Sequence, residues 1–291
     1  MFEGVYTALI TPFAADGSVD EDSLRALVDA QIAGGVEGLV PVGTTGESPT
    51  VTHEENIRII QIVCEQAGGR VPVIAGTGSN STAEAIDMTK RARDVGANAT
   101  LQVSPYYNKP SQEGLRRHFT AVAEEGELPV VIYNIPGRTG KNIENDTMIQ
   151  LAAHPNIVGV KEASGSMSQV MELIHAKPDD FCVLAGDDNL SFPITMLGGS
   201  GVISVASNII PNRMSSLIGT ALAGNAKEAR EQFYVLLPLF RSMFLDTNPI
   251  PVKYAMASLG YCREVYRLPM CELSDDNKRT IDGVLDMLGL I

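Results

Sequence analysis

Positive charge is in short supply. The 291 residues carry 22 Lys+Arg against 35 Asp+Glu, a formal net charge of −13. No basic stripe is available for phosphates, which argues against a nucleic-acid binder. Cysteine is also scarce. Cys64, Cys182, Cys262 and Cys271 lie far apart with no C-x-x-C spacing, so they read as reduced thiols, not a disulfide framework or zinc site. The four histidines (His53, His118, His154, His175) form no H-E-x-x-H or other paired spacing, and no metal site is expected. No apolar run approaches the roughly 18 residues of a membrane span. The opening MFEGVYTALITPF lacks the basic n-region and long apolar core of a secretory signal. The expectation is a cytoplasmic protein with neither nucleic-acid nor membrane partner.

What is present is globular: 44% apolar and 20% charged residues. Eight short apolar runs recur, at 5–10, 38–43, 71–78, 99–106, 129–136, 157–164, 181–188 and 201–208. Their near-continuous apolar character suits parallel strands buried on both faces. Their ends recur roughly every 28 residues, the length of a βα unit. The segments between them read as helices. Thr52–Glu55 and Ser81–Glu84 have the shape of capping boxes, and Ser18–Glu21 resembles one. Leu24, Leu27, Val28 and Ile32 form one helical stripe. Gly34-Gly35, Gly68-Gly69 and Gly96 fall where C-terminal caps belong. Eight units predict a (β/α)8 TIM barrel over 1–224. Strand-like runs then stop, and helical periodicity at 225–245, 250–259 and 274–289 predicts a C-terminal helical appendage, 225–291. A doubly wound sheet fits less well, because the nearest glycine motif, Gly76-Thr77-Gly78, lacks a third glycine and follows the third run.

Chemistry in such a barrel belongs at the C-terminal strand ends. Lys161 stands out, a lysine in the apolar strand Ile157–Lys161. It is either a structural partner of Glu162 or Asp187, or an amine aimed into the barrel mouth. Burial disfavours an ammonium, and the resulting free amine can form a Schiff base with a carbonyl. Tyr133, on the preceding strand, is either a core tyrosine or a proton shuttle. Thr44 and Thr45 lie in a small-residue turn that can aim backbone N–H groups at a carboxylate, or that is simply a turn. Arg138, after Pro136-Gly137, offers a bidentate fork to an anion, or sits in solvent. Gly198-Gly199-Ser200-Gly201 precedes the eighth run, so it lies on the opposite face and reads as a turn.

The motifs GTTGES, SPYYNKP, YNIPGRTG, GVKEASG and NPIPVK, in this order, resemble the dihydrodipicolinate synthases, within the class I aldolase family that includes N-acetylneuraminate lyase. The resemblance extends from ALITPF at 8–13 to RLPM at 267–270. It implies a lyase in which Lys161 forms the Schiff base with pyruvate, so that no cofactor or metal is required. Tyr133, Thr44 and Tyr107 would relay protons, Tyr107 crossing from a partner subunit in a tight dimer of a homotetramer. Thr45 with Thr44 would hold the pyruvate carboxylate, and Arg138 that of aspartate semialdehyde. Gly186 and Ile203 would line the pocket. Arg138 and GTTGE favour the synthase, which opens lysine and diaminopimelate synthesis, over a neuraminate lyase or a 2-keto-3-deoxy sugar acid aldolase. A non-catalytic barrel with a structural Lys161 is the reading from another class. The resemblance also implies a feedback site for lysine built from Ser48, His53, Asn80, Glu84 and Tyr106, with Asn56 departing from the usual histidine.

Overall fold

The computed structural model describes residues 2–291. Eight strands alternate with helices: β1 (Gly4–Ala8), β2 (Gly38–Val40), β3 (Ile74–Gly76), β4 (Ala99–Val103), β5 (Val130–Asn134), β6 (Ile157–Glu162), β7 (Cys182–Ala185) and β8 (Gly201–Ser204). They pair in parallel in the order β2-β1-β8-β7-β6-β5-β4-β3. A parallel bridge between Leu39 and Val73 joins the two ends and closes the (β/α)8 barrel. All eight expected strands are present. They are shorter than the apolar runs because the C-terminal part of each run leaves the sheet to form the rim.

Alternation sorts the side chains. Tyr6, Ala8, Val40, Ile74, Leu101, Val131, Tyr133, Leu184 and Ile203 form one cluster that fills the barrel. Their sequence neighbours face the surrounding helices, as Val130, Ile132 and Val160 do. One irregularity matters for the site. Between β5 and β6 the register shifts: Val130 pairs with Ile157, but Val131 pairs with Gly159. Ile157 faces the helix layer, so strict alternation would send Lys161 outward as well. The extra residue reverses the parity, and Lys161 becomes the partner of inward-facing Tyr133.

The helix ends follow local chemistry, with two departures from expectation. Thr52 and Glu55 form the expected capping box, Thr52 N–H donating to Glu55 at 2.9 Å and Glu55 N–H to Thr52 Oγ1 at 3.2 Å. The first helix, Glu21–Ala33, is instead capped by Asp20, which accepts from Ser23 N–H. Ser81 precedes the helix Thr82–Asp94 but makes no side-chain cap; Glu84 turns away to accept from Ser79 Oγ at 2.6 Å. After the barrel come the helices Ala226–Ser242, Ile250–Ser258 and Asp275–Met287. Their Leu236, Leu239, Phe240, Met256, Ile281 and Leu285 share one buried cluster with Leu217 and Ile218 of a barrel helix. Gly198 to Gly201 form a turn into β8, with Gly198 and Gly201 at φ 101° and 130°.

Candidate active site

The loop after β2 turns sharply. Thr44–Gly46 form a 3-10 turn, Gly46 and Glu47 N–H donating to Gly43 and Thr44 carbonyls. Val42 before it and Glu47 after it sit in the left-handed region, at φ 53° and 55°. Such positions cost about 1–3 kcal/mol each and persist only where the surroundings enforce them. Three contacts do so. The Gly46 carbonyl accepts from Thr11 Oγ1 at 2.6 Å, Thr45 Oγ1 accepts from Asn248 Nδ2 at 3.1 Å, and Glu47 Oε1 meets Lys253 Nζ at 2.5 Å.

Lys161 and Tyr133 are both buried, and Lys161 Nζ stands 4.4 Å from the Tyr133 ring centre. Burial pushes the lysine down to about 8, against the pull of the Asp187 and Asp188 carboxylates. Burial pushes the Tyr133 phenol well up, while the nearby Arg138 charge and Thr44 hydroxyl oppose it. Glu162 is no partner for the amine. Its oxygens accept from Ser164 N–H at 2.6 Å and Asn134 Nδ2 at 3.2 Å. Lys161 forms no ion pair within 4 Å among the described residues, and of the two carboxylates named for it, Asp187 is the one whose charge favours its ammonium. One oxygen of Asp188 is likewise occupied, Oδ2 taking Val205 and Ala206 N–H at 3.0 and 2.9 Å. Gly186 follows β7, where a Cβ would lie 2.7 Å from Ala163 Cβ and 3.3 Å from Lys161 Cε. A glycine is therefore what lets the lysine stem pass. Ile203 lies on β8 inside the barrel, in the cluster that holds Tyr133.

Arg138 sits on the short helix Pro136–Thr139, and its Nη2 donates to the Asn248 carbonyl at 3.0 Å. A cavity of about 440 Å³ is lined by Thr44, Tyr133 and Arg138, and also by Ser48, His53, Glu84 and Tyr106. Four of the five expected lysine-site residues therefore share a cavity with the barrel-mouth groups. His53 Nε2 pairs with Glu84 Oε1 at 2.5 Å. Asn80 holds the rim, its Nδ2 donating to the Tyr106 carbonyl at 3.1 Å. Asn56 is buried, with Oδ1 unpartnered among the described residues. Tyr107 is not brought together with the others. It is 91% exposed, at φ 71°; Lys161, Thr45, Gly186 and Ile203, like Tyr107, are not among the residues that line the cavity.

Sequence reasoning missed Asn248 and Lys253, although NPIPVK was noted as a motif. The signal that picked out Lys161, a lysine within an apolar segment, is equally present in Pro249–Met256. It also missed Glu47 as Lys253's partner, since 206 positions separate them.

Comparisons with known proteins cover the whole chain. Residues 1–288 match the Dihydrodipicolinate synthetase family. The 4-hydroxy-tetrahydrodipicolinate synthase of Pelobacter propionicus is 49% identical over 291 residues, all of both chains. A chloride-inhibited dihydrodipicolinate synthase from Acinetobacter baumannii, solved with pyruvate, superposes with a TM-score of 0.98 at 42% identity, covering 100% of both chains. The Cyanidioschyzon merolae enzyme, solved with lysine bound, gives a TM-score of 0.97 at 41% identity over 100% of this chain and 99% of that one.

Proposed function

The chain belongs to the dihydrodipicolinate synthetase family, and from that premise we propose that it condenses pyruvate with aspartate semialdehyde to 4-hydroxy-tetrahydrodipicolinate. The observation that carries the chemistry is the buried Lys161 amine against Tyr133, held down to about 8. Lys161 Nζ attacks C2 of pyruvate, and the carbinolamine loses water to give the protonated imine. That imine acidifies C3; loss of a C3 proton gives an enamine, which attacks the aldehyde carbon. The amino group of the joined product then displaces Lys161 at C2 and closes the ring.

Tyr133, with Thr44 beside it, holds and returns the protons exchanged at the carbinolamine. The Thr44–Thr45 turn receives the pyruvate carboxylate, with Gly186 and Ile203 walling the site. Arg138 takes the carboxylate of the aldehyde partner through its guanidinium. No metal or organic cofactor enters this scheme. Tyr107 completes the proton relay of a second copy: an exposed tyrosine in left-handed backbone suits a residue that crosses an interface. Tight dimers then pair into a homotetramer. Ser48, His53, Asn80, Glu84 and Tyr106 form a regulatory lysine site beside the catalytic one. The expected setting is the cytoplasm.

The deciding experiment is borohydride reduction in the presence of pyruvate. A carboxyethyl adduct on Lys161, absent from Lys161→Ala, supports the reading. A well-folded Lys161→Ala with near-normal turnover overturns it.

A further inference from the structure

We infer that the buried Lys253–Glu47 ion pair, together with the Asn248 side chain, is a positioning device that holds the Thr44–Thr45 turn in the shape that receives the pyruvate carboxylate. The inference rests on the catalytic reading above and assigns to the C-terminal helices a part in substrate binding.

Lys253 is fully buried and Glu47 is 2% exposed, with Nζ and Oε1 2.5 Å apart. Glu47 Oε2 accepts from Arg267 N–H at 3.3 Å, and the ammonium lies 3.9 Å from the Phe13 ring centre. Such a pair is a poor device for stability alone, because desolvation of both charges offsets their attraction. What it does well is fix geometry, and its location says which geometry. Glu47 is the residue that closes the turn in left-handed backbone, and Val42 opens it in the same region. An eased constraint would let both relax to ordinary conformations and re-aim the intervening N–H groups.

Asn248 adds a second, independent tie. Its Nδ2 donates to Thr45 Oγ1, and its carbonyl accepts from Arg138. One residue thus touches both groups assigned to substrate carboxylates. The ammonium also neutralises Glu47, two residues from Thr45. An unpaired carboxylate there would repel the substrate's own. Lys253 and Asn248 touch no reacting atom, so they are positioning residues.

The test compares two carbonyl compounds in borohydride trapping at Lys161: pyruvate, and acetaldehyde, which has no carboxylate to position. The paired variant Glu47→Gln/Lys253→Met removes both charges at nearly constant volume and leaves no buried ion unpaired. It should trap pyruvate at least tenfold more slowly than wild type at subsaturating concentration, with acetaldehyde trapping within twofold. KM for pyruvate should rise more than kcat falls. Equal slowing of both compounds, or slowing of neither, overturns the inference. Asn248→Ala provides the second arm if the paired variant does not fold. It should lower the pyruvate-to-acetaldehyde trapping ratio severalfold, and an unchanged ratio overturns the inference. Failure of the wild-type chain to trap pyruvate is a different result, and overturns the catalytic reading itself.

Discussion

Lys161 and Tyr133 are register partners on β6 and β5, and the amine stands 4.4 Å from the centre of the phenol ring. They meet because one extra residue near Gly159 reverses the alternation of β6. The same burial raises the phenol and lowers the amine, so each is driven toward its neutral form. A neutral amine is a nucleophile, and a neutral phenol beside it can donate a proton. Both features are required for carbinolamine chemistry near neutral pH.

The amine should therefore titrate within an accessible range. With its pKa at about 8, roughly one lysine in ten is free at pH 7, against about three in ten thousand for an unperturbed one. The initial rate of pyruvate trapping should climb almost tenfold per pH unit below about 7, bend near 8 and level off above about 9. The Asp187 carboxylate is the charge that most supports the ammonium, so Asp187→Asn should move the plateau to lower pH. Trapping that keeps rising to pH 10 would mean an unperturbed lysine.

Gly186→Ala should damage the site from behind. The added methyl would press on Ala163 Cβ at 2.7 Å and on the Glu162 carbonyl at 3.1 Å, neither of which is a flexible tip. Overpacking of this kind costs about 1–3 kcal/mol, which a lowered melting temperature would register. Because Lys161 Cε is also within 3.3 Å, pyruvate trapping should fall by at least tenfold in protein that is still folded. Unchanged trapping would mean that the lysine stem has room to spare.

His118 should shape the acid limb of stability. It is buried, with Nδ1 2.9 Å from Thr82 Oγ1 and Nε2 unpartnered among the described residues, and burial pushes it down to about 4. Its folded pKa lies below the unfolded value of roughly 6.5, so the unfolded chain binds the proton first. Its neutral form costs nothing above pH 6.5. Stability is lost as pH falls from 6.5 toward 4, by up to about 3 kcal/mol, and its contribution is flat below that. His118→Gln should flatten this part of a denaturant-midpoint profile against pH; an unaltered slope would place the acid sensitivity elsewhere.

The barrel and its candidate catalytic rim are legible because burial on both faces leaves a continuous apolar signal, against which Lys161 stands out. Strand ends were less legible. Val42 belongs to an apolar run by composition but lies in left-handed backbone after β2, and residue type does not report that. Glu84 illustrates a different failure. Its spacing from Ser81 fits a capping box, yet Ser79 and His53 compete for the same carboxylate and win. Contacts between distant segments, such as Lys253 with Glu47, leave no local pattern at all. Tyr107 enters only through resemblance, and it is 91% exposed, so no burial signal marks it.

Glu84 also carries the last prediction. Its Oε1 pairs with His53 and its Oε2 accepts from Ser79, at 2.5 and 2.6 Å, on the wall of the cavity that also holds Thr44 and Arg138. The carboxylate is oriented by these two groups and still partly exposed, so it can take an α-ammonium without first breaking a buried network. Ser48 and His53 on the same wall can meet the side-chain ammonium directly or through water. Binding there abuts the Thr44 turn, so occupancy should be felt at the catalytic end. L-lysine should then inhibit turnover at subsaturating pyruvate. Glu84→Ala removes a charge-assisted contact worth roughly 1.5–3 kcal/mol, which corresponds to an inhibition constant about 10- to 150-fold weaker. The uninhibited rate should change little, because Glu84 meets no reacting group. Activity that ignores lysine up to tens of millimolar would assign these residues to the cavity wall alone. Inhibition that survives Glu84→Ala unchanged would place the lysine site elsewhere.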